Sequence, residues 1–175
     1  MTTTATQTKM KLIEPHGGKL INRLLEGPQW EKAKQEARGL PQIALTPRQV
    51  ADVELITIGG LSPLEGFMGS ADYTSVIRDT RLANGLVWSI PVTLGITDEQ
   101  KAAIGNSDSI ALIDENQVLA ILRVGEIYEG DLDGEAKNVY GTDDQAHPGV
   151  AAIRARGKWL VGGKIESTSL VMIAR

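Results

Sequence analysis

Residues 52–73, DVELITIGGLSPLEGFMGSADY, organise the reading of the whole chain. An apolar-rich opening runs into Gly59-Gly60, then a proline-clamped turn, then the pair Phe67-Met68. Adjacent glycines allow backbone angles that other residues avoid, while Pro63 fixes its own φ and pushes Ser62 out of the α region. Leu61, Leu64, Phe67 and Met68 supply apolar anchors that hold the turn against a core. The stretch therefore predicts a helix-to-loop connection, with positive φ at Gly59 or Gly60 and Phe67 buried. It contains no nucleophile, metal-ligand set or phosphate cradle.

Upstream, Thr46-Pro47-Arg48-Gln49 is a complete helix start: Thr as N-cap, Pro in the first turn, Gln three residues on to close a capping box. That helix runs to about Ile58 and delivers the chain into the turn. Further back, Pro15-His16-Gly17-Gly18 reads as a turn, residues 20–26 and 29–38 as helices split by Gly27-Pro28, and residues 41–45 as a short strand. Trp30, Ala33 and Ala37 form a thin apolar stripe on the second helix.

Downstream, Ser70 caps a helix expected over residues 72–81. Residues 86–96, LVWSIPVTLGI, are β-branched and apolar; Pro91 cannot donate to a central ladder, which places this strand at an edge or a bulge. Thr97–Gln100 forms a second capping box. Residues 108–113 and 118–128 flank the turn DENQ as a hairpin. Residues 135–140 and 146–156 read as helices, and residues 159–165 as a last strand. Short strands with short helices between them predict an α+β fold with a small, mainly antiparallel, barrel-like core.

Composition bounds the function. At 175 residues, 42% hydrophobic and 23% charged, the chain suits one soluble domain burying about 70% of its unfolded surface. Residues 1–10 are Thr-rich and predict a disordered tail. The absence of cysteine excludes disulfides and thiolate chemistry and fits a reducing cytosol. No apolar run approaches the ~20 residues of a membrane span, and the first ten residues lack a signal-peptide core, so a cytoplasmic protein without a membrane partner is expected. Net charge is +4 over residues 1–50 and −8 over residues 51–175. That acidic body argues against nucleic acid, whose phosphates require clustered Lys and Arg.

Candidate chemistry is thin. Glu129, Asp131, Asp133 and Gly134 approach calcium-loop spacing, but the first ligand should be Asp and the twelfth position, a bidentate Glu, is Tyr140. Gly162-Gly163-Lys164 lacks the earlier glycine and the following Ser or Thr of a phosphate loop, and reads as a glycine-marked strand. His16 and His147 lie far apart in sequence with no nucleophile motif near them. His147, before Pro148 at a helix entrance, suits either a ring bonded to loop backbone or a place in a binding cleft. The residues point to no catalytic, cofactor-binding or metal-binding set.

Several blocks nonetheless resemble one family in order: PHGGKL at 15–20, GGLSPLEGFM at 59–68, GLVWSIPVTLGI at 85–96, SIALIDENQVLAILRVGEIYEGD at 109–131, EAKNVYGTDDQAHPGVAAI at 135–153 and WLVGGKIE at 159–166. The chain resembles ATP sulfurylase (sulfate adenylyltransferase), in its N-terminal, PUA-like domain, over residues 11–166. The resemblance implies an enzyme that joins sulfate to the α-phosphorus of Mg·ATP, making adenylyl sulfate and pyrophosphate. The family's nucleotide-holding Gln-x-Arg-Asn-Pro and His-x-x-His motifs belong to a following catalytic domain and are absent here, and residues 167–175 diverge from the family's continuation. What it implies for this chain is a scaffold for that catalytic domain, inactive alone, binding no cofactor itself, with a homo-oligomer as a further possibility. A different expectation is a stand-alone PUA-like module that binds RNA or a small anion.

Overall fold

The computed structural model describes residues 12–168. The tail expected over residues 1–10 lies outside them, as do residues 169–175. Helix α1 (Pro28–Ala37) leads to strand β1 (Gln42–Ala44) and helix α2 (Pro47–Thr57). Strand β2 (Gly66–Phe67), helix α3 (Ser70–Asp79), strand β3 (Leu94–Ile96) and helix α4 (Asp98–Ile104) follow. The hairpin β4 (Ser109–Asp114) and β5 (Gln117–Glu129) precedes helices α5 (Leu132–Tyr140) and α6 (Pro148–Arg156), and β6 (Trp159–Ser167) ends the sheet. Local chemistry starts two helices where the spacing predicts it. Thr46 with Gln49, and Thr97 with Gln100, form complete capping boxes.

The sheet runs β1-β4-β5-β6-β2, with β3 also on β6. Only β1–β4 is parallel; the other pairs are antiparallel. All six strands contribute to one apolar cluster, from Ile43 and Phe67 to Leu94, Ile110, Leu122 and Ile165. The α+β, barrel-like expectation holds, with an unclosed sheet. Among the described residues no helix is long and apolar enough to cross a membrane.

The central strand explains Gly162-Gly163. A Cβ on Gly163 would sit 2.0 Å from the Arg123 carbonyl oxygen, and one on Gly66 would sit 1.9 Å from the Gly163 oxygen. Backbones touch there, so these are packing glycines, and Lys164 pairs with Glu65 at 3.0 Å. Across the sheet, Arg123 binds Glu36 of α1 and Glu166 of β6 together, and that guanidinium contact holds the Glu36 carboxyl below its ordinary value.

Three expectations need correction. Residues 20–26 are not helical: Leu24 makes a parallel bridge to Ser167, Arg23 N–H donates to Thr57 O, and Arg23 Nε donates to Ile165 O. Pairing with distant backbone overrides the local helix preference. Of residues 86–96 only β3 is strand, because Pro91 has no N–H to give; Val87 bridges to Arg81, and Val92 O accepts from Met68 N–H instead. Finally, α3 begins at Ser70 with Gly69 as its N-cap, and the Ser70 N–H and hydroxyl are both taken by Glu126 of β5 at 2.8 Å.

The turn between α2 and β2 behaves as expected. Gly59 has φ 81°, and Ser62 Oγ donates to Gly59 O at 2.7 Å while accepting from Ile21 N–H at 2.9 Å. Phe67 is 3% exposed beside buried Leu64 and Met68. Replacing Phe67 with Ala is expected to cost about 3–5 kcal/mol, the range for a buried aromatic. Urea unfolding of both proteins checks it; a loss under about 1 kcal/mol, typical of surface positions, would reject the core role.

Candidate functional site: grooves along helix α2

Helix α2 carries Arg48, Asp52 and Leu55 on one side at i, i+4 and i+7, with Arg48 and Leu55 exposed and Asp52 half-buried. Beside it lie two grooves that share Arg48, Asp52 and Pro91. The first, of about 250 Å³, is walled by α2 and by Ala152, Ile153 and Ala155 of α6, with Thr93 and Arg156 at its inner end. The second, of about 390 Å³, runs between α2, Leu61 and residues 87–92. Gln49 fixes the helix to its surroundings by donating from Nε2 to Gly95 O at 3.2 Å.

A buried polar cluster sets the inner end. Arg156 grips Glu135 with two hydrogen bonds, 3.1 and 2.7 Å, and donates to Thr93 Oγ1 at 2.8 Å. Tyr73 donates to the same Glu135 carboxylate at 2.9 Å. Burial, with the neighbouring Glu135 charge, pushes the Tyr73 hydroxyl pKa far above its ordinary value, so the phenol stays a donor. The Glu135 side chain is 2% exposed.

Asp52 differs. It is half-buried between the two grooves, and among the described residues no hydrogen bond or ion pair holds it. Burial pushes its carboxyl above the ordinary value, opposed by the charge of Arg48. The grooves can therefore take an apolar group carrying one cation or hydrogen-bond donor toward Asp52. Among the described residues no cluster of His, Cys, Asp or Glu could hold a metal ion.

The two histidines are not brought together. His16 Nε2 bonds the Val87 carbonyl at 2.9 Å, its ring 6.0 Å from Trp88. His147 is the N-cap of α6: its Nδ1 accepts from Gly149 N–H at 3.2 Å, and its ring packs on Tyr140. In the acidic stretch, Asp131 caps α5 and Asp133 pairs with Arg154. The sequence marks none of Arg48, Asp52, Thr93 and Arg156 as a binding residue. For the first two, the i, i+4, i+7 stripe was the available signal.

Residues 13–170 match the family model of a PUA-like domain. Relatives named sulfate adenylyltransferase include proteins of Symbiobacterium thermophilum, 46% identical over 154 residues (87% of this chain, 39% of that protein), and Halothermothrix orenii, 42% identical over 156 residues (88% and 41%). The chain thus spans about two-fifths of the length of the curated relatives it matches. Among solved structures, the hexameric APS kinase from Thiobacillus denitrificans matches with TM-score 0.69 and 28% identity, over 91% of this chain and 27% of that one.

Asp52 yields a pH test. A carboxyl with a higher pKa folded than unfolded favours the fold while protonated, and the advantage is lost as pH rises through the folded pKa. Ionised Asp52 therefore costs stability near neutrality. Asp52→Asn is expected to raise the melting temperature at pH 7, with the difference vanishing below about pH 4, where carboxyls are protonated in both states. Melting curves from pH 3 to 8 check it; an equal gain at every pH would reject burial of the charge as the cause.

Proposed function

The chain belongs to the PUA-like domain family, and from that premise we propose that it is the N-terminal domain of a sulfate adenylyltransferase, scaffolding a catalytic domain and inactive alone. The carrying observation is its 46% identity with a sulfate adenylyltransferase over 87% of its length. In this reading the other three-fifths of such an enzyme hold Mg·ATP and sulfate. In-line attack on phosphorus requires cations positioned around the phosphates. The grooves here offer Arg48, whose neighbour is a carboxylate, and Arg156, already committed to Glu135 and Thr93. The likeness to a hexameric APS kinase supports a homo-oligomer, and the family's chemistry supports a cytoplasmic enzyme of sulfate assimilation.

The pure 175-residue chain is expected to release no pyrophosphate from Mg·ATP and sulfate, and to show no saturable heat on titration with either. Release that depends on both substrates would overturn inactivity. Saturable binding of sulfate alone would favour an independent anion-binding module. Its acidic body should also leave RNA and DNA unbound at physiological salt; a sub-micromolar, sequence-selective dissociation constant there would reject that expectation.

A further inference from the structure

The exposed large apolar side chains among the described residues gather in three places: the N-terminal segment (Leu12, Ile13, Leu20), the outer side of α2 (Leu55, Ile58) and the segment beside it (Val87, Ile90). Close approaches link these places. A Cβ on Gly60 would lie 3.2 Å from Leu55 Cδ2, and one on Gly59 would lie 2.8 Å from Leu20 Cδ1. His16 ties the N-terminal turn to Val87. Leu61, Val87, Trp88 and Ile90 then line the same groove as Arg48 and Asp52. Val87 is 57% exposed, Ile90 45% and Leu55 41%.

Exposed apolar side chains gathered beside one groove mark an interaction surface rather than the scattered exposure of ordinary surfaces. Its polar centre is incomplete as well, because the half-buried Asp52 carboxylate has no hydrogen-bond or ion-pair partner among the described residues. Desolvating a carboxylate without a partner is unfavourable, and an incoming cation reverses the sign. Arg48 lines the same groove and offsets only part of that cost, while Arg123 is held by Glu36 and Glu166, Lys164 by Glu65 and Arg156 by Glu135.

We propose that this face, made by the outer side of α2, Leu61 and residues 87–92, is where the catalytic portion of the enzyme docks, seating an apolar ridge on Leu55, Val87 and Ile90 and a basic side chain on Asp52. The inference rests on the reading of the chain as one domain of a sulfate adenylyltransferase. The occupant follows from length: in the relatives about three-fifths of the protein lies outside the matched region, and a covalently attached neighbour meets this face at high effective concentration.

The test compares the 175-residue chain, free and grafted in place of the 154 matched residues of the Symbiobacterium thermophilum relative. In the free chain, Leu55→Glu and Ile90→Glu should leave the melting temperature unchanged. In the graft, amide exchange over residues 55–61 and 86–92 should slow at least tenfold, which Ile90→Glu, or the milder Ile90→Ser, should abolish. Asp52→Asn should speed exchange over these residues in the graft, whereas in the free chain, which it stabilises at pH 7, it should leave exchange equal or slower. Exchange identical in graft and free chain overturns the docking face. So does a dimer of the free chain that both Glu variants dissolve, or protection in the free chain that removing residues 1–11 abolishes. A protected face in a graft that releases no pyrophosphate counts against the sulfate adenylyltransferase reading alone. An active graft with the face unprotected counts against the docking alone.

Discussion

Close backbone contact at Gly163 is the constraint on which the remaining architecture depends. With β5 packed on one side through Arg123 and β2 on the other through Gly66, β6 has no room for a side chain at that point. A methyl group there would force the strands apart. Because β2 is only two residues long, this contact is also what draws the turn after α2 onto the sheet and sets Phe67 into the core. The position of α2 follows in turn, since Ser62 Oγ and the Gly59 carbonyl tie the end of the helix to the turn. The grooves are thus a consequence of sheet packing, one element removed.

Elements coded by neighbours in sequence were legible. The capping boxes at Thr46 and Thr97 lie within four residues, and the hairpin turn at residues 114–117 lies between two apolar runs. Elements decided by distant partners were not. Residues 20–26 carry helix-compatible side chains, yet Leu24 and Leu25 pair with Ser167, more than 140 positions later. Residues 86–96 have strand composition, yet Pro91 withholds one hydrogen bond and only three residues reach β6. No local pattern announces Arg123 as the joint between α1, β5 and β6, because its two carboxylate partners lie 87 and 43 residues away.

The same division separates the motifs from the groove. The stretches that resemble the family divide between two roles in the structure. Phe67, Met68 and Gly163 serve packing, whereas Leu61, Val87 and Trp88 border a surface. Sequence distance hides that difference: Leu61 and Val87 are 26 residues apart and share one groove. The Arg48–Asp52–Leu55 spacing was readable as a stripe, but not its exposure, which depends on what packs alongside.

The buried Glu135–Arg156 pair is better understood as a positioning device than as a source of stability. Removing two charges from water is costly, and attraction between them offsets that cost only when the remaining polar atoms are also bonded. Here Glu135 receives Tyr73 and Arg156 reaches Thr93, although the buried Arg156 Nε has no partner among the described residues, and the pair joins α3, α5, α6 and the segment before β3 at one point. An apolar substitute of equal volume could match the stability, yet it would leave the rotation of α6 about its axis unspecified. That rotation decides whether Ala152, Ile153 and Ala155 face α2 and form the wall of the first groove. Charge inside the domain thereby fixes the shape of a mostly apolar surface, and the directionality of hydrogen bonds supplies what packing alone would not.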